Sequence, residues 1–220
     1  MNRLLKLVTA LLFVFVASPT FAAEGDWRLE KDADGVQVYT RAVEGQKIRE
    51  IRAVTRIPAR LSAVVAVLDD ISATSQLSDV VGEVEILQRQ TPTRYQVYSV
   101  LKMPWPLDDR DMVNQRDIQQ DATTLAVTIT NVAVPEAAPL KAGRVRILQS
   151  RQNWTLTPEA DGRVLAELRA LTDPAGPIPA SAINAMSVGS PFKSMQQLRT
   201  MAQSGKYRQA NLPFVREPAR

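Results

Sequence analysis

The chain has 220 residues, 27 basic against 23 acidic, and contains neither cysteine nor histidine. Their absence excludes Ser-His-Asp and Cys-His catalysis, zinc sites built from His or Cys, and disulfides, so any chemistry must rest on carboxylates, lysine, tyrosine or serine. The near-balance of charge argues against a phosphate-backbone binder, and the length suits one domain with a substantial core.

The first residues, MNRLLKLVTALLFVFVASPTFAA, begin basic at Arg3 and Lys6, carry an apolar run from Leu7 to Ala17, and end in small residues at Ala22 and Ala23. Ser18 and Pro19 cut the run short of the roughly 20 residues that a spanning helix needs. The layout therefore predicts a secretory signal peptide over residues 1–22, with a retained membrane anchor as the alternative. About 198 residues then remain, assigned as one domain over residues 23–208 and a C-terminal tail over 209–220. An exported chain without cysteine is held by packing alone, which is compatible with a bacterial periplasm.

From Gly35, GVQVYTRAV alternates as a strand, and KIREIRAVTRI continues the pattern with Ile51, Ala53 and Ile57 in phase. PARLSAVVAVLDD reads as a helix, with Pro58 in its first turn and Leu61, Val64, Val65 and Leu68 on one face. VGEVEILQRQ and TRYQVYSVLKM are strands joined near Thr91-Pro92. The run MPWPLDDRDMVNQR follows: Pro104 and Pro106 end the strand at Met103, Trp105 packs the loop onto the body, with contact to ligand or membrane as the alternative, and Arg110 with Asp111 holds the start of the next strand as an ion pair or through backbone hydrogen bonds. That strand and TTLAVTITNVA are separated by Asp121-Ala122. A loop with Pro135, Pro139 and Gly143 leads to RVRILQSRQNWTLTPE and RVLAELRALT, two long strands meeting at Asp161-Gly162. After Asp173-Pro174 a helix opens behind Pro179, with Ile183 and Met186 on one face and Phe192, Met195 and Leu198 continuing at helical spacing. Pro191 is expected to kink it. The expected fold class is α+β, a strongly curved antiparallel sheet around a long C-terminal helix.

On a regular strand Arg116 shares a face with Met112, Asn114 and Ile118, while Val113, Gln115 and Asp117 face the other way. If the mixed face points inward, Arg116 is a charge in an apolar interior and needs a partner; otherwise it faces solvent or an acid. Tyr98, Trp154 and Met186 are either cavity lining or ordinary core. The acids Asp108, Asp109 and Asp111 read as solvated loop charges rather than a paired-carboxylate site.

Four separated segments, GVQVYTR, MPWPLDDRDMVNQR, VPEAAPLKAGRVRI and DPAGPIPASAIN, resemble in order and spacing the StAR-related lipid-transfer (START) domain family of the helix-grip, Bet v 1-like class. The resemblance covers roughly residues 26–205. It implies one apolar cavity between the sheet and the last helix, with the loop 134–143 and that helix as its lid, and it implies no metal, nucleotide or other cofactor. In family members the arginine matching Arg116 faces a lipid phosphate or pairs with an acid on the neighbouring strand. The position matching that acid is Val100, which leaves Arg116 to an anionic ligand group. The expectation is an exported, non-enzymatic, monomeric lipid carrier that meets a membrane surface transiently and binds no nucleic acid. Arg116 and Asn114 set headgroup preference, Met112, Tyr98, Val100 and Trp154 line the sheet side, and Ile183 and Met186 line the helix side. A kink near Gly189 to Pro191 would let the helix swing. The alternatives are a cyclase- or hydrolase-like enzyme of the same fold class and a ligand-sensing adaptor.

Overall fold

The computed structural model describes residues 26–219, so the signal-peptide segment lies outside the described residues. Among them, no helix is long and apolar enough to cross a membrane. A first strand, Arg28–Ala33 (β1), pairs with Val36–Ala42 (β2) through a turn at Asp34 and Gly35, both at positive φ, the geometry that two-residue hairpins demand. The sequence pattern did not reveal β1. It is an edge strand with no buried residue, so neither of its faces imposes alternation.

After Arg49–Ile57 (β3), the chain leaves the middle of the sheet and crosses its concave side as Leu61–Asp69 (α1) and the short helix Thr74–Leu77 (α2). It returns as the far edge strand Val81–Thr91 (β4) and works back through Arg94–Leu101 (β5), Asp109–Gln120 (β6) and Val127–Ala133 (β7). Then come Arg144–Arg146 (β8), Gln149–Pro158 (β9), Val164–Asp173 (β10), the long helix Ala180–Ala202 (α3) and Gly205–Arg208 (α4). The strand order is β1-β2-β3-β10-β9-β7-β6-β5-β4, antiparallel throughout, with β8 lying in parallel beside the start of β6. The sheet is not closed. It wraps α3, which packs on β2, β3 and α1, in the α+β helix-grip arrangement.

Local chemistry explains where elements begin and end. Seven residues of α1 are buried, Leu61, Val64, Val65 and Leu68 among them, so the helix is apolar nearly all round. Its first turn starts at Leu61, not at Pro58, and the Glu217 carboxylate accepts the amides of Leu61 (3.2 Å) and Ser62 (2.8 Å). The segment carrying Glu217 is fixed: Val215 is buried, and Leu212 and Phe214 pack against the core. The strand expected to run unbroken from Arg144 is two strands. Ile147 turns inward, its amide donating to the Asp111 carbonyl at 2.8 Å, while Leu148 is turned out. Trp105 does not pack onto the body; it is 93 % exposed. Pro191 lies within α3, and the helix continues across it although the Ser187 carbonyl loses its amide donor there.

The start of β6 is held by buried charges. Arg110 and Asp111 point to opposite faces and do not pair with each other. Arg110, 2 % exposed, donates to the carbonyls of Pro174 (3.2 Å), Ala175 (3.3 Å) and Asp108, which fastens the linker into α3. Asp111 meets Arg146 at 2.9 Å, with side chains 1 % and 4 % exposed, and accepts Tyr98 Oη at 3.0 Å. Arg146 also donates to the carbonyls of Pro135, Ala138 (2.9 Å) and Pro139 (3.0 Å), pinning the loop after β7. Burial pushes the Asp111 pKa up, but the hydrogen bonds of Arg146 and Tyr98 and the charges of Arg146 and Arg144 outweigh it and hold the carboxyl below the usual carboxylate range.

Removing one member of a buried pair strands the other charge, so Asp111→Ala is expected to cost about 3–5 kcal/mol of unfolding free energy in urea denaturation. Because the folded pKa of Asp111 is depressed, its contribution is complete above about pH 4, near the unfolded value, and is lost as pH falls through the folded one. The acid limb of the unfolding curve should therefore be shallower in a variant lacking this carboxylate.

Candidate functional site: a cavity under the first half of the long helix

Small and large side chains divide α3 in two. Phe192, Met195, Leu198 and Ala202 are buried in the main core and fill the space beneath the C-terminal half. Toward the N-terminus the side facing the sheet carries Ser187, Ser190 and Ser194, at i, i+3 and i+7, and their small volume leaves a hollow of about 310 Å³. Its walls are mostly apolar. Val97 and Leu101 of β5, Met112 of β6, Trp154 of β9 and Leu168 of β10 form the sheet side. Leu68, Ile71 and Leu77, from α1 to α2, close the flank.

One row of the floor is polar. Arg116, Asn131 and Gln152 are neighbours on β6, β7 and β9 and all line the cavity, with Asn114 two residues along β6. Arg116 Nε donates to Asn131 Oδ1 at 2.7 Å, and Nη1 donates to the Leu68 carbonyl at 2.8 Å and to Tyr95 Oη at 3.4 Å. Its guanidinium carbon lies 5.7 Å from the centre of the Tyr95 ring. Tyr95 Oη in turn donates to Asp69. Burial raises the Tyr95 pKa and the neighbouring Asp69 adds to this, against the opposing charge of Arg116. No carboxylate among the described residues forms an ion pair with Arg116; the nearest acid reaches it only through a phenol. Two buried polar atoms in the row have no partner among the described residues, Asn114 Oδ1 and Asn131 Nδ2.

Arg116, Asn114, Met112 and Trp154 are thus brought together on the cavity wall. Tyr98 and Val100 do not join them. The inward phase of β5 is Val97, Ser99 and Leu101, so Tyr98 and Val100 point to the other face, where they pack with Val113. The cross-strand neighbour of Arg116 is Tyr95, whereas Val100 stands opposite Asp111. Ile183 is half-buried in the first turn of α3 and does not line the cavity, and the side chain of Met186 lies outside the described residues. The loop 134–143 is not a lid here: Val134, Ala137 and Ala138 pack on Tyr98, Val100 and Val113 behind the sheet. The sequence reading missed Asn131 and Gln152. Each is a polar residue on the inward phase set by Val127 and Ile129, or by Trp154 and Leu156, and that break in alternation was the available signal.

The START domain family matches residues 16–208. A protein of Pseudomonas aeruginosa is 29 % identical over 203 residues, covering 92 % of this chain and 99 % of its own. The mouse phosphatidylcholine transfer protein is 25 % identical over 165 residues, 72 % of this chain and 75 % of its own. Among solved structures, a STAR-related lipid transfer protein fragment from Xanthomonas axonopodis superposes with a TM-score of 0.74 at 36 % identity, covering 81 % of this chain and 99 % of that one.

Tyr95→Phe removes the hydroxyl that joins Arg116 to Asp69 and keeps the ring. The expected loss is about 1–2 kcal/mol in urea denaturation, and an unchanged midpoint would show that the phenol does not carry this link.

Proposed function

The chain belongs to the START domain family, and from that premise we propose that it is an exported, non-enzymatic carrier that holds one amphiphile in the cavity beneath α3. The observation that supports this most directly is the hollow itself: a mostly apolar chamber beside the core packed by Phe192, Met195 and Leu198, with one polar row on its floor. An acyl or polycyclic body against Trp154, Leu168 and Val97 is taken out of water, which contributes about 0.8 kcal/mol for each methylene. Arg116 and Asn131 then meet the head. The names of the relatives, a phosphatidylcholine transfer protein and a STAR-related lipid transfer protein, point the same way. Asp109, in the acidic run after Trp105, is engaged by Lys102 and lies outside the cavity lining, so the enzymatic alternative finds no such support.

Cargo bound this way must enter and leave without crossing water. Leu101 lines the cavity and the loop carrying Trp105 leaves from it. Leu140, 78 % exposed, precedes β8, which runs beside the start of β6. We assign these two side chains to contact with a membrane interface, where an indole can place its ring among headgroups. Export by the N-terminal segment would place the carrier in a periplasm.

Mass spectrometry of lipids extracted from the mature protein, isolated from its native compartment, should show one unaltered amphiphile; protein that carries none would sink the carrier reading. Arg116→Ala is expected to weaken retention of that amphiphile about tenfold, with an unchanged far-ultraviolet circular dichroism spectrum. Trp105→Ala should slow transfer between vesicles while leaving the amount bound unchanged.

A further inference from the structure

Which head the cavity accepts is written in its two unmatched amides. Asn114 and Asn131 are 6 % and 4 % exposed, and both line the cavity. The orientation of each amide is fixed by its other half. Asn131 Oδ1 accepts from Arg116 Nε, so Nδ2 is a donor that meets no acceptor among the described residues. Asn114 Nδ2 lies 3.5 Å from Met112 Sδ, and a thioether can only accept, so Oδ1 is an acceptor that meets no donor among the described residues. Among the described residues Nη2 of Arg116 makes no hydrogen bond, and it adds a second donor beside Asn131. Arg116 and Asn131 are paired across β6 and β7, and Asn114 follows on the same face of β6, so the atoms form one patch about 7 Å long.

Resting on the carrier reading, we propose that this patch selects a single-chain amphiphile whose head offers an O–H or N–H as well as an acceptor, such as a hydroxyl or an amide. A head with acceptors alone satisfies Asn131 and Arg116 but leaves Asn114 Oδ1 facing another oxygen. Buried polar groups reject a ligand that leaves them unpaired far more sharply than an apolar wall rejects an extra methylene. An ammonium head supplies donors but sets a cation beside Arg116. Size favours one chain over two: about 310 Å³ lies at the lower end of the ~300–1,000 Å³ range of small-molecule sites. Choline phospholipids fail on both grounds, having two acyl chains and a headgroup without a donor.

The test is a competition. The mature protein is equilibrated with equal amounts of hexadecanamide and N,N-dimethylhexadecanamide, repurified by size exclusion, and the retained amides are quantified by mass spectrometry; dipalmitoylphosphatidylcholine vesicles are offered in a parallel sample. The two amides share chain and acceptor and differ in the donor. The primary amide is expected to be retained about tenfold over its dimethyl analogue, with the phospholipid retained less than either. In Asn114→Leu the preference between the amides should vanish, which separates hydrogen bonding from the bulk of two methyl groups. Equal retention of the amides, stronger retention of the phospholipid, or an undiminished preference in Asn114→Leu would overturn the assigned head while leaving a carrier in place. Retention of none of the three would overturn both readings. Should Asn114→Leu fail to fold, the wild-type competition still decides.

Discussion

A guanidinium taken out of water has to be met by oxygen on nearly every side, and this architecture meets that demand for Arg110 and Arg146 at the start of β6, with the half-buried Arg116 further along the strand. Arg110 at the start of β6 takes carbonyls from the linker into α3. Asp111, beside it, holds Arg146, which takes carbonyls from the loop after β7. Arg116, further along, takes the carbonyl of Leu68 at the end of α1. Each charge converts segments without regular hydrogen-bond partners into fixed parts of the sheet. β6 is therefore the strand against which the roof, the rear loop and the flank of the cavity are all positioned.

That anchoring lets the interior be uneven. Under the second half of α3 the core is filled by Phe192, Met195 and Leu198, while serines occupy the same side of the first half. A helix with nothing large beneath it would ordinarily settle onto the sheet, since voids forfeit dispersion contacts. Here its N-terminal approach is tied to Arg110 and its C-terminal half is packed, so the hollow is spanned from both sides.

Much of this was legible in the residues. Alternation marked β2 to β7 and β10, and the apolar face of Leu61, Val64, Val65 and Leu68 marked α1, because each buries a face against the core. β1 was not legible, since an edge strand exposed on both sides imposes no pattern. Nor was the break at Ile147 and Leu148, where β8 departs to pair in parallel with β6. The phase of β5 was the finer difficulty. VYSVL is apolar or small at every position, since both faces of the strand are covered, and alternation alone does not say which of Val97 and Tyr98 looks into the cavity. Arg116 stood out because it is a charge on the mixed phase it shares with Met112, Asn114 and Ile118. Asn131 carried a weaker form of the same mark within TITNVA.

The family match stops at residue 208, yet Glu217 closes the amino end of α1 and Val215 is buried in the core. The evolutionary outline and the mechanical outline of the domain are consequently offset by a strap of about nine residues. A recombinant version trimmed to the shared outline would leave the amides of Leu61 and Ser62 without their carboxylate and uncover the core around Val215, and purification tags belong beyond this strap rather than in its place.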